Sequence, residues 1–496
     1  MHWTLQPRSY EDWLSETRSR APRGGVLPHF KLVIGREAVD TETRMAVLNP
    51  ATEAVVDFCP VAGVEHLEAA LAAAKRALPA WSRSSLDTRR ALIRSIADGI
   101  EARIESLAAL LTSEQGKPLA QARLELQKSC AILRYFAQAD LPIRTFRHSE
   151  VERIYERRAP LGIVAAIVPW NFPIVLLMNK LAPALLTGNC IIAKPAPTTP
   201  LTTLEIGHLC ASLLPAGVIS VLSDSNNLGA SLTSHPDIAK VSFTGSTDTG
   251  RKVFQSGAAT LKRLTLELGG NDPALILDDA NLDTVAPQIF RCAMANSGQV
   301  CMAIKRVYVP DALYDGLSDR LAALATAAVV GDGADPNTHF GPVQNAAQYE
   351  RLKGLIADCE TRGTVLSGKA PASPRGYFIA PSIVRDIPDD ARIVQEEQFG
   401  PVLPLLRYTH LDDALTRMNS SIFGLGASVW SSNVNRATDI AERVSSGTVW
   451  VNRHMSVDPS VPFRGARQSG IGAELGDAGI HEFTQAQVVN VSLQGG

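Results

Sequence analysis

An α/β protein built on two parallel sheets is the fold class this sequence predicts. Three observations predict it. Between residues 161 and 270, short apolar runs alternate with helical segments, the pattern of a buried parallel sheet with crossover helices. A second alternating series starts near Pro273. At 496 residues the chain is also longer than one ordinary core supports, so two or more domains are expected.

Taken in order, residues 1–28 read as a polar extension. "FKLVIG" and "RMAVLNP" then read as short strands around a turn. From Val64 to about Ala139 the apolar residues fall at three- and four-residue spacings, as in "LDTRRALIRSIADGIEARIESLAALL", and the pattern is helical. Gly116, followed by Pro118, is a stop signal within it. The strands expected next are "LGIVAAIVPW", "NCIIAKP", "GVISVL", "AKVSFTG" and "LKRLTLELGG", with helices over 173–187, 200–214, 227–234 and 247–257 between them. The second series holds "PALIL", "KRVYV", a helix over about 311–327, "GASVW" and "GTVWV". Residues 141–160 alternate charge with β-formers and make a weakly apolar strand pair, expected to lean on another subunit. The late strand "QAQVVNVSL" has no obvious local partner.

Composition excludes several function classes. The net charge of -2 argues against a nucleic-acid or anionic-membrane footprint. Seven cysteines, odd in number and without a C-x-x-C pair, argue against a disulfide scaffold or structural zinc. The ten histidines show no H-E-x-x-H spacing, and no metal is expected. The N-terminal residues lack an apolar signal core, and no run is long enough to span a membrane, so a cytoplasmic location is expected.

Parallel sheets bind ligands beyond the carboxyl ends of their strands, so the polar residues there are the candidates. "FTGSTDTG" places Gly245 and Ser246 where a strand feeds a helix, and free N–H groups there suit a pyrophosphate. An ordinary strand-to-helix joint looks the same, and the G-x-G-x-x-G fingerprint is missing. In "PWNFP", Asn171 offers an amide to a cleft or serves as a helix cap. Glu267 in "LELGG" is a general base or a surface charge. Lys194 binds ribose or phosphate, or is solvated; Glu397 in "EEQFGPV" holds a ribose or is simply exposed. Cys301 in "ANSGQVCMAIKRV" is a core thiol or a nucleophile.

The order and spacing of "PWNFP", "KP", "FTGST", "LELGG", "GQVC", "EEQFGP" and "PFRGARQSGIG" resemble the aldehyde dehydrogenase superfamily from about Phe30 to Val491, with "SEQGKPL" adding to the likeness. The resemblance is to the hydrolytic, non-CoA-acylating, NAD(P)-dependent type. It implies Cys301 as the nucleophile, Asn171 as the oxyanion donor and Glu267 as the general base. It implies Lys194 and Glu397 as ribose contacts, Trp170, Gly245 and Ser246 at the cofactor phosphates, and Phe399 at the nicotinamide ribose. A nucleotide-binding part over 29–140 and 159–268, a catalytic part over 269–482 and an oligomerisation arm over 141–158 and 483–496 follow from it, as does a homodimer or homotetramer. The substrate is then a small-molecule aldehyde, with Ala295, Met302, Val457 and Phe463 along its tunnel. Ala295 stands where members often carry an aromatic residue, which favours aliphatic or aromatic aldehydes over small charged ones.

Two departures from the family pattern matter. Arg464 replaces a glycine of P-F-G-G, and either strains the turn or supplies a charge. Pro197 occupies the position where NAD-preferring members carry a glutamate, so NAD is expected to work and NADP to be tolerated. A CoA-acylating dehydrogenase and a catalytically retired binding protein are the alternatives.

Overall fold

The computed structural model describes residues 30–371 and 375–494. The expected extension over 1–28 lies outside them.

The first sheet has eight strands. Its parallel centre runs Ile219–Val221, Cys190–Lys194, Ile163–Ile167, Ile238–Thr244 and Arg263–Glu267. The three strands from Ile163–Ile167 to Ile219–Val221 step outward in one direction, and the next two step outward in the other. The strand order therefore reverses between Ile163–Ile167 and Ile238–Thr244, and a crevice opens where the crossovers part. The short strands are wholly buried, as in "IVAAI" and "CIIAK", because helices cover both faces.

The second sheet has seven strands, in the order Thr364–Ser367, Ser382–Arg385, Val402–Tyr408, Ile304–Pro310, Asp272–Ile276, Gly426–Trp430 and Thr448–Val451. It has its own apolar clusters, one on each face. The chain passes from the last parallel strand of the first sheet, Arg263–Glu267, to Asp272–Ile276 of the second through Leu268, Gly269, Gly270 and Asn271 alone. The carboxyl edge of the first sheet thus meets the amino edge of the second.

Three expectations change in detail. The helical stretch is four helices, Val64–Trp81, Leu86–Glu101, Ile104–Gln115 and Leu119–Phe136. Gly116 caps the third in a left-handed conformation, φ 92°, where Pro50 and Pro342 crowd any added Cβ. The strands Leu32–Ile34 and Arg44–Leu48 do not pair with each other: one turns back on Glu37–Val39, the other pairs with Val55–Pro60. The strand Thr484–Ser492 does have a partner in its own chain. It runs antiparallel to Glu152–Pro160 over nine residues, and Arg144–His148 completes a three-stranded arm. No local pattern signals that pairing, because its two strands are more than three hundred residues apart: Arg157 Nε donates to Gln487 Oε1 at 2.7 Å across 330 positions.

Candidate functional site

A cavity of about 600 Å³ lies where the two sheets meet. Its walls include Trp170, Asn171, Gly245, Ser246, Cys301, Glu397 and Phe399, so most of the sequence candidates converge there.

On the first sheet, the strand Ile163–Ile167 leads through Pro169 to Trp170 and Asn171. Asn171 is buried, at 3% exposure, and does not cap the following helix, whose cap is Phe172. Its Nδ2 donates to the Gln299 carbonyl at 2.9 Å, and its own carbonyl accepts from Lys117 Nζ at 2.8 Å and from Asn296 Nδ2 at 3.1 Å. Lys117, from "SEQGKP", is fully buried and paired with Glu125, which in turn accepts N–H groups of Ile174 and Val175 at the helix start. Sequence reading singles out that motif without giving its lysine a role. The structure shows the lysine holding the asparagine backbone.

Ser246 caps the helix Thr247–Gly257, accepting the Thr249 N–H at 3.3 Å, and the start of that helix faces the cavity. An anion placed there meets unpaired backbone donors and the positive end of the helix. Lys194 ends its strand within 2.6 Å of Asp224, buried rather than solvated, and outside the cavity walls.

Glu267 ends the strand Arg263–Glu267 beside Thr244 and Gly470. It is 5% exposed, and neither carboxylate oxygen has a hydrogen-bond partner among the described residues. Burial pushes its carboxyl well above the usual carboxylate range; Glu474 adds to this, while Lys180 and Arg464 oppose it. A carboxylate left unpaired in a buried position waits for a proton or a water. Arg464 is not in the left-handed region, so it carries no turn strain, and its charge bears on Glu267.

From the second sheet come Cys301 and Glu397. Cys301 follows a turn in which Asn296, Ser297 and Gly298 all have positive φ, at 48°, 54° and 72°. Gln299 fixes that turn from within, donating to the Asn296 carbonyl at 2.9 Å and accepting the Gln344 N–H at 2.8 Å. The Cys301 thiol is pushed up, first by burial and then by Glu397, Asp272 and Glu267. Glu397 accepts the Gly270 N–H at 3.1 Å, and burial moves its carboxyl up to about 7 against that bond and the nearby Lys305. Phe399 meets Trp170 edge to face at 5.3 Å, so one aromatic from each sheet closes the cavity wall.

The four tunnel candidates do not line this cavity. Ala295 opens the cysteine turn, and Met302 follows Cys301 and accepts from His454 Nε2 at 2.9 Å. Val457 is exposed, and Phe463 is bridged to Glu474.

The sequence pattern described as the aldehyde dehydrogenase family matches residues 37–489. The chain is 40% identical over 469 residues to a probable aldehyde dehydrogenase of a Pseudomonas species, covering 94% of this chain and 95% of that relative. It is 35% identical over 480 residues to the phenylacetaldehyde dehydrogenase of Pseudomonas fluorescens, covering 92% and 95%. Among solved structures, the NAD+ complex of the aldehyde dehydrogenase from Bacillus cereus superposes with a TM-score of 0.91 at 35% identity, covering 94% of this chain and 97% of that one. Likeness of this extent, over a chain whose two sheets meet at a half-buried thiol and an unpaired carboxylate, means that this protein belongs to the aldehyde dehydrogenase family.

Proposed function

We propose that the protein oxidises aliphatic or aromatic aldehydes to carboxylic acids, with Cys301 as nucleophile, Asn171 as oxyanion donor and Glu267 as base. The observation that carries this reading is the placement of Glu267. It is buried and unpaired at the end of the strand that leads into Leu268 and Gly269 of the cavity wall, and its charge opposes ionisation of the Cys301 thiol.

An aldehyde gives up hydride once its carbonyl carbon is tetrahedral and its oxygen carries negative charge. Cys301 sulfur loses its proton and bonds to that carbon, while the carbonyl π pair moves onto oxygen. One N–H of the Asn171 amide is engaged by Gln299, which leaves the other for the oxyanion. A nicotinamide dinucleotide fits the helix start at Ser246 and the wall of Glu397, Trp170 and Phe399, and when bound it supplies the hydride acceptor. The acyl group is then a thioester on Cys301. Glu267 takes a proton from water as the water oxygen attacks that carbonyl, the carbon–sulfur bond breaks, and the acid leaves. A base in this position favours water over a CoA thiol.

The substrate class rests on the small Ala295 at the head of the cysteine turn and the apolar Met302 next to Cys301, and the relative named for phenylacetaldehyde is consistent with it. The division proposed from sequence also stands as a proposal: nucleotide binding on the first sheet, catalysis on the second, and self-association through the arm, whose outer strand Arg144–His148 is exposed throughout. Among the described residues no helix is long and apolar enough to cross a membrane, and a cytoplasmic setting suits seven free cysteines. The test is Cys301→Ala, which should form no NADH or NADPH from any aldehyde; normal turnover would remove the assignment. In the native protein kcat/KM for hexanal and benzaldehyde should exceed that for succinic semialdehyde.

A further inference from the structure

Lys305 sits behind the Cys301 turn. It lies in the strand Ile304–Pro310, and its side chain is fully buried. Its Nζ donates to the Gly298 carbonyl, in the same left-handed turn that precedes Cys301. That nitrogen is also 5.5 Å from the centre of the Phe399 ring, and the Lys305 carbonyl accepts from Gln398 Nε2 at 3.1 Å. One residue therefore ties the cysteine turn to the loop that carries Glu397 and Phe399.

The charges around it are unbalanced. Cys301 faces Glu397, Asp272 and Glu267. Burial disfavours the Lys305 ammonium, the charges of Glu397, Asp272 and Cys301 favour it, and that of Arg351 opposes it. Arg351 spends its guanidinium on the carbonyls of Glu397 and Gln398 and on Glu396. His454 Nε2 lies 3.6 Å from Asp272 but donates to the Met302 carbonyl. Behind Glu267 stand Glu474, Lys180, Arg464 and Glu482, with Lys180 bound to Glu474. Ionising Cys301 adds one more negative group to this cluster. Lys305 is a buried cation whose charge bears on both the thiol and the carboxylates next to it.

We propose that Lys305 is a positioning residue for the dehydrogenase reaction: its ammonium supplies the positive charge that the Cys301 thiolate requires, and its side chain fastens the cysteine turn to the Glu397–Phe399 loop. This rests on the reading of Cys301 as nucleophile. The step itself is a proton leaving sulfur for solvent; burial pushes the Lys305 ammonium down to about 8, so the lysine carries its charge at neutral pH and loses it at the alkaline end of the range.

Alkylation of Cys301 by iodoacetamide, followed on its own peptide by mass spectrometry across neutral to alkaline pH, tests the proposal without turnover. K305M and K305Q should alkylate about tenfold more slowly at neutral pH, with the midpoint displaced alkaline by roughly one unit. K305R, which keeps the charge, should stay near the native profile. An unchanged midpoint in a folded neutral variant overturns the proposal, as does K305R as impaired as K305M. Collapse of both neutral variants beside a folded K305R would assign the charge to the fold alone and overturn it too. Failure of the functional reading looks different: Cys301→Ala would keep turning over aldehyde whatever the alkylation profile.

Discussion

Replacing Gly298 with alanine tests whether the cysteine turn sets the reaction geometry. Gly298 has φ +72°, a conformation that costs a side-chain-bearing residue roughly 1–2 kcal/mol. The added methyl has a second cost. Built on this backbone it would overlap the Gly400 carbonyl group and stand 2.8 Å from Pro401 N, and both neighbours are main chain. Restoring ordinary contact distances requires the turn and the Glu397–Pro401 loop to separate by roughly 1–1.5 Å. Cys301 lies on one of these segments and Glu397 on the other, so the separation moves the thiol relative to the cofactor wall. A misplacement of about 1 Å costs on the order of 100-fold in rate. The expected result is a fall of about that size in kcat/KM for benzaldehyde, with a folded protein and a lowered Tm. Native kcat/KM in a folded G298A protein would refute the claim that this turn positions the nucleophile.

Other outcomes follow from the same geometry. Glu267→Gln should retain a first-turnover burst of NADH and lose steady-state turnover, which rapid mixing separates. Because burial raises the Glu267 carboxyl and its ionised form takes the proton, deacylation in the native enzyme should rise with pH through that elevated range, and Glu267→Gln should abolish that limb. Lys117→Met leaves Glu125 buried without its ion-pair partner, and should lower unfolding free energy by about 3–5 kcal/mol in urea titrations. Pro197→Glu should shift the NAD to NADP ratio of kcat/KM toward NAD by about one to two decades through repulsion of the 2′-phosphate, and an unchanged ratio would show that this position does not govern cofactor choice.

Much of this was legible in short stretches. Buried parallel strands announce themselves as apolar runs, and the residues at their ends, such as Trp170, Asn171, Ser246 and Glu267, can be named before any fold is seen. Cys301 is ambiguous alone and gains meaning from the ordered motifs around it. The buried cations were not legible. A lysine in "AIKRV" or "LMNKL" looks solvated: Lys305 reaches back to Gly298 only because a left-handed turn returns the chain there, and Lys180 meets Glu474 across 294 positions. The same distance hid the partner of Thr484–Ser492, whose pattern fits any sheet edge. One letter in a turn does not give its φ, so the sequence leaves Arg464 open between strain and charge; its conformation excludes strain and leaves its charge.

The passage Leu268–Asn271 has a mechanical consequence. It joins the two sheets in four residues, with Glu267 at one end and Gly270, bonded to Glu397, inside it. Such a short tether has almost no slack, so sliding or tilting of one sheet against the other pulls directly on Glu267 and on Glu397. Substitutions anywhere along the seam between the sheets will therefore register in the chemistry, far from the atoms that react. Selection for heat resistance at that seam becomes, in effect, selection on thioester hydrolysis, and variants that stiffen the outer faces of the sheets are the ones free to raise Tm without slowing turnover.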